Sequence, residues 1–429
     1  MPFTHFLSNK GYLQTNMQKR LLFLLVFLSI LVQAKAQQIL KNLNYYTQEA
    51  DKNNPLIKDN YNQQQAAKID SMLIRSGAKL QVVANGAGLY APIIKGYGYD
   101  MALSNGQALE ALLQVNYDLL NKKRINNQLQ ALQIRFDSIK YATQLSKLDL
   151  KKLITEQYIT TYASQQQLEF NQKIYSLLKE EEDLLKKLTR ANTYKQTEYL
   201  TFLVTFKQQQ LQWKQAEISF KNDIATLNYL AGVSDTSKVI LEAPFLALET
   251  DLVNRTFFIE RFKIDSLSRI NQKKAISLNY QPKLSVYANG GYNSSFILQP
   301  YKNFGSSIGF MFSLPIYDGH QKKMQFDKIA LSSQTNQYYK SFFIKQQQQQ
   351  INLIREQINY TDELLLQINE QIKLTKSLID VDGKLIPTGD IRIADFAIAI
   401  NNYRDAQNLL EQTTISRFKL LNQLNYWNR

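Results

Sequence analysis

An internal duplication with an offset of about 200 residues constrains this 429-residue chain more than any other feature of its sequence. Ala84-Asn85-Gly86 recurs as Ala288-Asn289-Gly290, and a Tyr-Asp pair at 117–118, which precedes a Lys/Arg-rich helix start, recurs at 317–318. A repeat with the same features in the same order predicts a fold built twice from one supersecondary unit.

Each copy contains two segments in which apolar and polar residues alternate. They lie at about 79–91 and 107–117 in the first copy and at about 283–297 and 306–317 in the second. In the third segment, for example, Leu284, Val286 and Ala288 are separated by polar residues. Alternation with a period of two predicts β-strands that have one apolar and one polar face.

Strands of about 9–11 residues with this pattern have the length and the two-faced character of transmembrane β-strands. A soluble sheet with one buried face gives the same alternation, so the pattern alone leaves both interpretations open. The export signal described below and the small residues on the polar face favour a membrane barrel.

A very long helical segment follows each pair of strands. The first runs from about 118 to 190 without Gly or Pro, and shorter return segments cover about 198–230 and 392–425. Apolar residues keep a 3–4 spacing along these segments, which indicates coiled-coil packing. About 70 helical residues correspond to a rod of roughly 105 Å, a length suited to crossing a periplasm.

The long helices are interrupted at two places, 191–194 and 382–390, and the second of these contains two Gly and a Pro. Because Pro and Gly end helices, we predict that both segments are the tips of helical hairpins. The resulting division is a first structural repeat at 37–232 with its hairpin at 118–231, a linker at 233–250, and a second repeat at 251–429 with its hairpin at 318–426.

The segment 1–36 has the organisation of a secretory signal peptide. Lys19-Arg20 precede the apolar run Leu21–Val32, and Ala34-Lys35-Ala36 has the pattern of a cleavage site. A transmembrane anchor is the weaker interpretation, because an apolar run this short cannot span about 30 Å of hydrocarbon as a helix. Cleavage before Gln37 removes four basic residues and no acidic one, which lowers the formal net charge from +15 to +11. Met17 is an alternative start.

Composition argues against several classes of function. The chain has no Cys and only two His, so it lacks the residues for a disulfide framework, a thiolate nucleophile or a His-based metal site. We therefore expect no enzymatic activity, no cofactor and no metal. Lys and Arg are scattered through helical segments among Gln and Asn, which favours a solvated basic surface over nucleic-acid binding.

Several short motifs resemble, in their order and spacing, those of the TolC-like outer-membrane efflux protein family. They are Asn53-Asn54-Pro55-Leu56 before an Ala-containing helix, Pro282-Lys283-Leu284 before a strand, Leu314-Pro315-Ile316-Tyr317-Asp318-Gly319 at a strand-to-helix turn, and Gly389, Ile391 and Asp395-Phe396 at the second tip. The resemblance covers nearly the whole mature chain. The first copy departs from it, because it has no Pro at its passages and has Lys195-Gln196 near the position of the usual tip Gly.

The resemblance implies an α+β membrane protein, internally duplicated, in which each chain of a homotrimer contributes four transmembrane β-strands to a 12-stranded barrel. A long antiparallel α-helical coiled coil would continue the barrel as a periplasmic tunnel. Four strands cannot close a barrel, and an open edge in lipid leaves backbone groups unpaired, so the strand count by itself also requires oligomerisation. The implied location is the cell outer membrane, with a periplasmic helical extension.

The implied function is passive conduction from an inner-membrane pump of RND or ABC type, through a periplasmic membrane-fusion adaptor, to the exterior. This corresponds to the channel of a tripartite efflux or type I secretion system. The alternative is a secreted or periplasmic coiled-coil scaffold with a soluble β domain that conducts nothing. The sequence does not identify the cargo, since residues that line such ducts are generic polar groups.

Three sets of candidate residues follow from the resemblance and from the strand ends. The channel-constriction candidates are Asp395, Asp390 and Glu198, of which Asp390 is alternatively a helix N-cap and Glu198 an acid favoured by the helix dipole. Ile398 occupies the position of a second constriction acid. The adaptor-contact tip candidates are Thr193, Tyr194, Gln196, Pro387, Gly389 and Ile391. The membrane-girdle candidates are Tyr90, Tyr117, Tyr292 and Tyr317, with core packing as the alternative role.

Overall fold

The computed structural model describes residues 39–104, 106–234, 239–248, 257–295 and 302–429, and the predicted signal peptide lies outside these residues. In chain order the elements are β1 (Ile39–Lys41), α1 (Leu43–Asn53), α2 (Pro55–Gly77), β2 (Gln81–Tyr90), α3 (Met101–Ser104), β3 (Gln107–Asp118), α4 (Lys122–Arg190), α5 (Gln196–Ala231), β4 (Val239–Leu241), α6 (Phe257–Asn279), β5 (Lys283–Ser294), β6 (Phe304–Ser313), α7 (Gln321–Leu385) and α8 (Ile393–Trp427).

The strand pairs of both copies form one four-stranded antiparallel sheet in the order β2-β3-β5-β6. The central pairing joins the copies, because β3 of the first lies beside β5 of the second with Asp118 opposite Ser285. β6 ends at Ser313, earlier than the alternation predicted. Pro315 explains the difference, since proline has no N–H to donate to the ladder.

The two long helices contain 69 and 65 residues. α4 begins at Lys122 rather than at 118, because β3 continues to Asp118. α7 runs through Gly383, which the sequence placed in the second tip, and ends at Leu385. A single Gly costs a helix only about 1 kcal/mol, which a long packed helix tolerates.

The N-terminal region contains a helix start of the kind that the Asn-Pro motif predicted. The side chain of Asn54 accepts hydrogen bonds from the backbone N–H groups of Leu56 (2.9 Å) and Ile57 (3.4 Å), and Pro55 occupies the first helical position of α2. This cap satisfies N–H groups that have no partner inside the helix. The preceding helix α1 was not predicted.

The segment predicted as a plain linker contains the short strand β4, which pairs in parallel with β1. The hydroxyl of Tyr158 donates to the carbonyls of Glu242 (2.6 Å) and Lys41 (3.2 Å), so one side chain of α4 fastens both strands. Tyr158 is fully buried. Sequence patterns did not indicate these strands, because each has only three residues.

The chain divides into two compact units, and neither coincides with a structural repeat. The unit that contains the four-stranded sheet, here the sheet unit, comprises 54–153, 247–363 and 417–429; the other, here the hairpin unit, comprises 1–53, 154–246 and 364–416. Each unit therefore takes elements from both copies. The duplication describes the history of the sequence, whereas the packing joins equivalent parts of the two copies.

Helix packing in both units includes buried amide side chains. In the sheet unit, Asn127 of α4 and Asn271 of α6 each donate to the backbone carbonyl of the other, at 3.2 and 3.3 Å. In the hairpin unit, Gln209 of α5 donates to the side chain of Asn171 on α4 at 3.0 Å. Such buried pairs fix the register of neighbouring helices, because a shift would leave polar groups unpaired.

Candidate functional site: an amphipathic sheet and two hairpin tips

One face of the four-stranded sheet is apolar across all four strands. Register places Val82, Leu113 and Val115 of the first copy on the same face as Val286 and Phe310 of the second. Large side chains on this face are exposed in the chain, for example Ile308 at 87%. A broad exposed apolar surface of this kind is unusual for a soluble monomer and indicates a surface that is covered in the assembled protein.

The opposite face of the sheet carries most of its amides, hydroxyls and small residues, together with a few apolar side chains such as Val83, Leu89 and Met311. Asn85 donates to Gln114 on the neighbouring strand (3.1 Å), and Gln114 donates to Asn116 (2.8 Å). In the second copy Ser307 donates to Asn289 at 2.6 Å. These side chains form a hydrogen-bonded polar ladder across the strands.

Two glycines allow close approach on this polar face. A Cβ at Gly291 would collide with the carbonyl of Ala111 on β3, and a Cβ at Gly309 would collide with the ring of Tyr287 on β5. Tyr287 therefore covers Gly309 across the strand pair. Glycine in a strand commonly marks such a close contact.

The outer strands β2 and β6 each pair on one side only within the described residues. Both are ten residues long, and β2 is exposed along its whole length. Each therefore presents a row of backbone N–H and C=O groups that a strand of another chain can pair with.

The four girdle candidates differ in exposure. Tyr90 and Tyr317 are well exposed and Tyr117 is partly exposed, whereas Tyr292 is only 5% exposed. The low exposure of Tyr292, whose strand partners are Ala111 and Phe304, favours the alternative core-packing role for this residue. Tyr317 lies beyond the end of β6, in the passage to α7.

The first hairpin tip lies between Arg190 and Gln196. Asn192 adopts the left-handed conformation (φ 62°), which reverses the chain without a glycine. The carboxylate of Glu198 accepts the backbone N–H of Lys195 at 3.1 Å, so Glu198 caps the start of α5. This contact supports its interpretation as an early-turn acid.

Tyr194, an adaptor-contact candidate, is buried instead. Its hydroxyl donates to the carbonyl of Ile386 in the second tip at 3.1 Å. Burial raises the pKa of the Tyr194 hydroxyl, and the charges of Glu198 and Asp390 raise it further. Tyr194 therefore joins the two tips to each other, and the sequence did not reveal this because Tyr is common at exposed positions too.

The second tip lies between Leu385 and Ile393. Gly389 has a φ of 79°, and a Cβ there would lie 2.9 Å from the Cγ2 atom of Thr193. Pro387, Gly389 and Asp390 are exposed, as are Thr193 and Gln196 in the first tip. Ile391 is half-buried against the hairpin core. The N-cap interpretation of Asp390 is wrong, because α8 begins at Ile393.

Asp395 lies in the first turn of α8 and forms a two-pronged ion pair with Arg392. The guanidinium Nε and Nη2 atoms donate to the two carboxylate oxygens at 2.9 and 3.0 Å. Nearby Asp382 is buried, and burial, together with the charge of Asp395, raises its pKa. Arg392 and Asp382 were not identified from the sequence as residues of the tip site. For Arg392, its position three residues before Asp395 could have indicated the ion pair.

A shared apolar core lies beneath the two tips. The rings of Phe202 from α5 and Phe396 from α8 stack with centroids 6.4 Å apart, and both residues are fully buried. Ile386 and Ile393 are buried in the same cluster. The tips are thus one packed structure built from both copies rather than two independent turns.

The described residues contain no group of three or more His, Cys, Asp or Glu side chains placed to hold a metal ion. None of the described helices is long and apolar enough to span a membrane. The geometry of the candidate site is therefore that of two surfaces, an amphipathic sheet and a pair of joined tips.

No protein-family model matches this sequence, and no curated protein matches it significantly. Solved structures do. The outer-membrane channel OprN is similar with a TM-score of 0.73 and 12% identity, over 90% of this chain and 89% of that one. The outer-membrane protein VceC from Vibrio cholerae is similar with a TM-score of 0.72 and 12% identity, over 90% of this chain and 95% of that one. The CmeC outer-membrane channel from Campylobacter jejuni is similar with a TM-score of 0.71 and 13% identity, over 90% of this chain and 85% of that one.

The chain therefore has the fold of the TolC-like outer-membrane channels, as the sequence motifs predicted. The likeness extends over nine tenths of the chain, although only about one residue in eight is identical. Long helices combined with a few strands are the part of the predicted fold class that this comparison confirms.

Proposed function

We propose that this chain is the outer-membrane channel of a tripartite efflux or type I secretion system. Three copies would pair β6 of one chain with β2 of the next and close a 12-stranded barrel. The helices that follow β3 and β6 in the chain would form the wall of a periplasmic tunnel. Substrate would pass through passively, and an inner-membrane pump of RND or ABC type would supply the energy.

The observation that carries this proposal is the continuous apolar face of a sheet with two open edges. In lipid, backbone groups at an open edge would remain unpaired at a cost of several kcal/mol each. Pairing with neighbouring copies removes both edges, and lipid covers the apolar face. A soluble scaffold would leave Ile308 and the aromatic residues of β6 exposed to water, which makes it the weaker candidate.

The polar face of the sheet would line the bore. Its amide and hydroxyl ladder would keep the lumen wetted without binding a particular cargo tightly. This lining is consistent with selectivity that resides mainly in the pump.

The joined tips would form the narrow periplasmic end. Asp395 remains the principal constriction candidate, with Arg392 as its intramolecular partner in the described conformation. Asp390 is exposed and also a candidate, whereas Glu198 is engaged in capping. We propose that a membrane-fusion adaptor contacts the exposed tip residues, which are Thr193, Gln196, Pro387 and Gly389.

A pair of single-cysteine variants tests which face of the sheet meets lipid. The chain has no Cys, so each variant carries a unique thiol. Ser307 and Ile308 are neighbours on β6 whose side chains lie on opposite faces. In membranes, Ser307→Cys should react with a charged, membrane-impermeant maleimide, whereas Ile308→Cys should react only with a lipophilic one.

Equal reaction of both thiols with the charged reagent would contradict the channel and favour the scaffold. Two further readouts address conduction itself. The detergent-solubilised protein should be a trimer by light scattering, and it should form water-filled pores in planar bilayers. A deletion strain that shows no change in drug or metal sensitivity and no loss of a secreted protein would count against export.

A further inference from the structure

A short motif, Tyr-Asp-x₃-Lys-Lys, occurs once in each copy, at 117–123 and at 317–323. In the first copy it begins with the last two residues of β3, and in the second it begins after the end of β6; in both it ends in the first turn of a long helix. Its spacing is the same in both copies, although the intervening residues differ completely. The doubled lysines therefore lie at a defined level of the fold.

Strand register brings the two motifs to the same end of the sheet. Asp118 pairs with Ser285 near the start of β5, and Lys283 pairs with Ser313 at the end of β6. Arg124, directly after the first motif, donates to the carbonyl of Pro282 at 3.0 Å. This end of the sheet carries seven basic residues and only two acidic ones; they are Lys79, Lys122, Lys123, Arg124, Lys283, Lys322 and Lys323, with Asp118 and Asp318.

The lysine doublets are not explained by interactions within the chain. Lys122, Lys123 and Lys323 are exposed and form no ion pair among the described residues. The ammonium group of Lys322 lies over the Tyr280 ring, 5.2 Å from its centroid, and the backbone N–H of Lys322 donates to the carboxylate of Asp318 at 2.7 Å. Neither long helix has an acidic residue in its first turn. A helix dipole disfavours cations at this end, so the doublets do not serve helix stability.

Exposed apolar residues separate each doublet from the apolar face of the sheet. Tyr117, Leu119 and Leu120 precede the first doublet, and Ile316 and Tyr317 precede the second. Aromatic and aliphatic side chains followed by flexible lysines are typical of a membrane–water interface, where the lysine stems lie along apolar surface and the ammonium groups reach the headgroups.

We propose that the two lysine doublets at this end of the sheet, Lys122-Lys123 and Lys322-Lys323, form a basic patch that binds anionic phospholipids of the periplasmic leaflet. Lys283 is not part of this lipid site, because strand register places it with Ser313 on the polar face. The occupant is assigned by charge complementarity and by continuity with the apolar face, which would end at the level of the patch. Phosphatidylglycerol and cardiolipin carry the net negative charge that would attract the lysines, whereas zwitterionic lipids do not. The inference rests on the proposed membrane location of the sheet.

The test compares the parent with a quadruple variant in which Lys122, Lys123, Lys322 and Lys323 are replaced by Gln. A matched control replaces four exposed lysines of the hairpin unit, Lys186, Lys187, Lys373 and Lys376, and therefore has the same charge. Each purified protein is exposed to phosphatidylglycerol or phosphatidylcholine, and native mass spectrometry counts the lipids that it retains.

The parent and the control should prefer phosphatidylglycerol, and the quadruple variant should lose at least about tenfold in that preference, since each interfacial lysine contributes about a fivefold factor. Raising salt to about 1 M should weaken the parent's preference, because charges are then screened within about 3 Å. Replacing the four lysines by Arg should retain it. The salt arm uses the parent and needs no variant to fold.

Equal retention of both lipids by the parent, or an unchanged preference in a folded quadruple variant, would overturn the inference. Displacement of the lipid by inorganic phosphate alone would also overturn it, since the patch would then be a phosphate site. These outcomes leave the proposed channel intact. A parent that enters neither phosphatidylglycerol nor phosphatidylcholine bilayers would overturn the channel and this inference together.

Discussion

The two helical hairpins solve the same structural problem with different residues. The first tip reverses direction at Asn192 and the second at Gly389, both with left-handed backbone. The third residue of each return helix is an acid, but Glu198 caps a backbone N–H whereas Asp395 pairs with Arg392. The duplicated copies therefore share geometry more closely than they share residue identities.

The return helices also differ in how they hold charge. Glu217 on α5 is partly exposed between Lys214 and Lys221, and hydrogen bonds from these lysines lower its pKa to about 2. On α8, burial raises the pKa of the Glu411 carboxyl to about 7, and its Oε1 atom is buried without a hydrogen-bond partner. The charge on α5 forms favourable pairs with its neighbours, whereas ionising the buried carboxyl on α8 lowers the stability of the fold.

The largest expected effect tests whether the hairpins share one core. Replacing Phe396 by Ala should lower the free energy of unfolding by about 3–5 kcal/mol, because it empties a fully buried site. Phe202→Ala should cost a similar amount, since the two rings stack on each other. Thermal denaturation measures both. Phe245→Ala, at a position 89% exposed, is the control and should be nearly neutral.

A large loss for one phenylalanine and a negligible loss for the other would show that the hairpins are stabilised separately.

The second prediction concerns the buried charge of α8. Glu411 binds a proton more tightly when folded, so its ionisation destabilises the protein as pH rises from about 4.5 to about 7. Glu411→Gln should therefore stabilise the protein by about 1–3 kcal/mol at pH 8 and leave it unchanged near pH 4. Unfolding followed across this range measures the difference. Glu217→Gln should give no gain at pH 8, and a gain there would remove the contrast between the return helices.

The third prediction concerns the tip turns. Gly389→Ala should destabilise by about 1–2 kcal/mol, because the left-handed backbone disfavours a Cβ and Thr193 leaves little room for one. Asn192→Gly should change stability by only a few tenths of a kcal/mol, since glycine adopts the same conformation freely. Chemical denaturation of both variants is the measurement. A neutral Gly389→Ala would mean that the second tip rearranges.

The smallest effects on stability belong to the two tip acids. Asp395→Asn should cost less than about 1 kcal/mol, because its ion pair with Arg392 is solvent-exposed. Glu198→Gln should cost as little, because Gln can also accept the N–H of Lys195. The two variants should differ in ion selectivity when measured in planar bilayers: Asp395→Asn should reduce the preference for cations, and Glu198→Gln should not. The reverse result would move the constriction to the first tip.

Much of the fold could be predicted from local patterns. Period-two alternation located all four sheet strands, and the Gly- and Pro-free segment located α4, because both patterns act over many residues. β1 and β4 were not predicted, because a strand of three residues is too short to show a periodic pattern. Gly383 led to the opposite error, because it was predicted to end the helix. The packing of a long helix outweighs the small helix-destabilising effect of one glycine.

The candidate site was predictable in outline but not in its contacts. Thr193, Gln196, Pro387 and Gly389 are exposed at the tips as expected. The burial of Tyr194 and Tyr292 was not predictable, because a tyrosine suits both a core and a surface, and only its neighbours decide which. The ion pair of Asp395 depends on the turn geometry that places Arg392 beside it.

The sequence by itself determined the faces, because alternation fixes which side chains share a side of each strand and a 3–4 spacing fixes the packed side of each helix. Only the tertiary structure decided which faces meet: that β3 of one copy pairs with β5 of the other, and that Phe202 stacks on Phe396. The physical reason is the sequence distance over which each kind of interaction acts. Backbone geometry sets periodicity between near neighbours, whereas pairing across about 200 residues depends on the burial and hydrogen bonding of the whole assembly of elements.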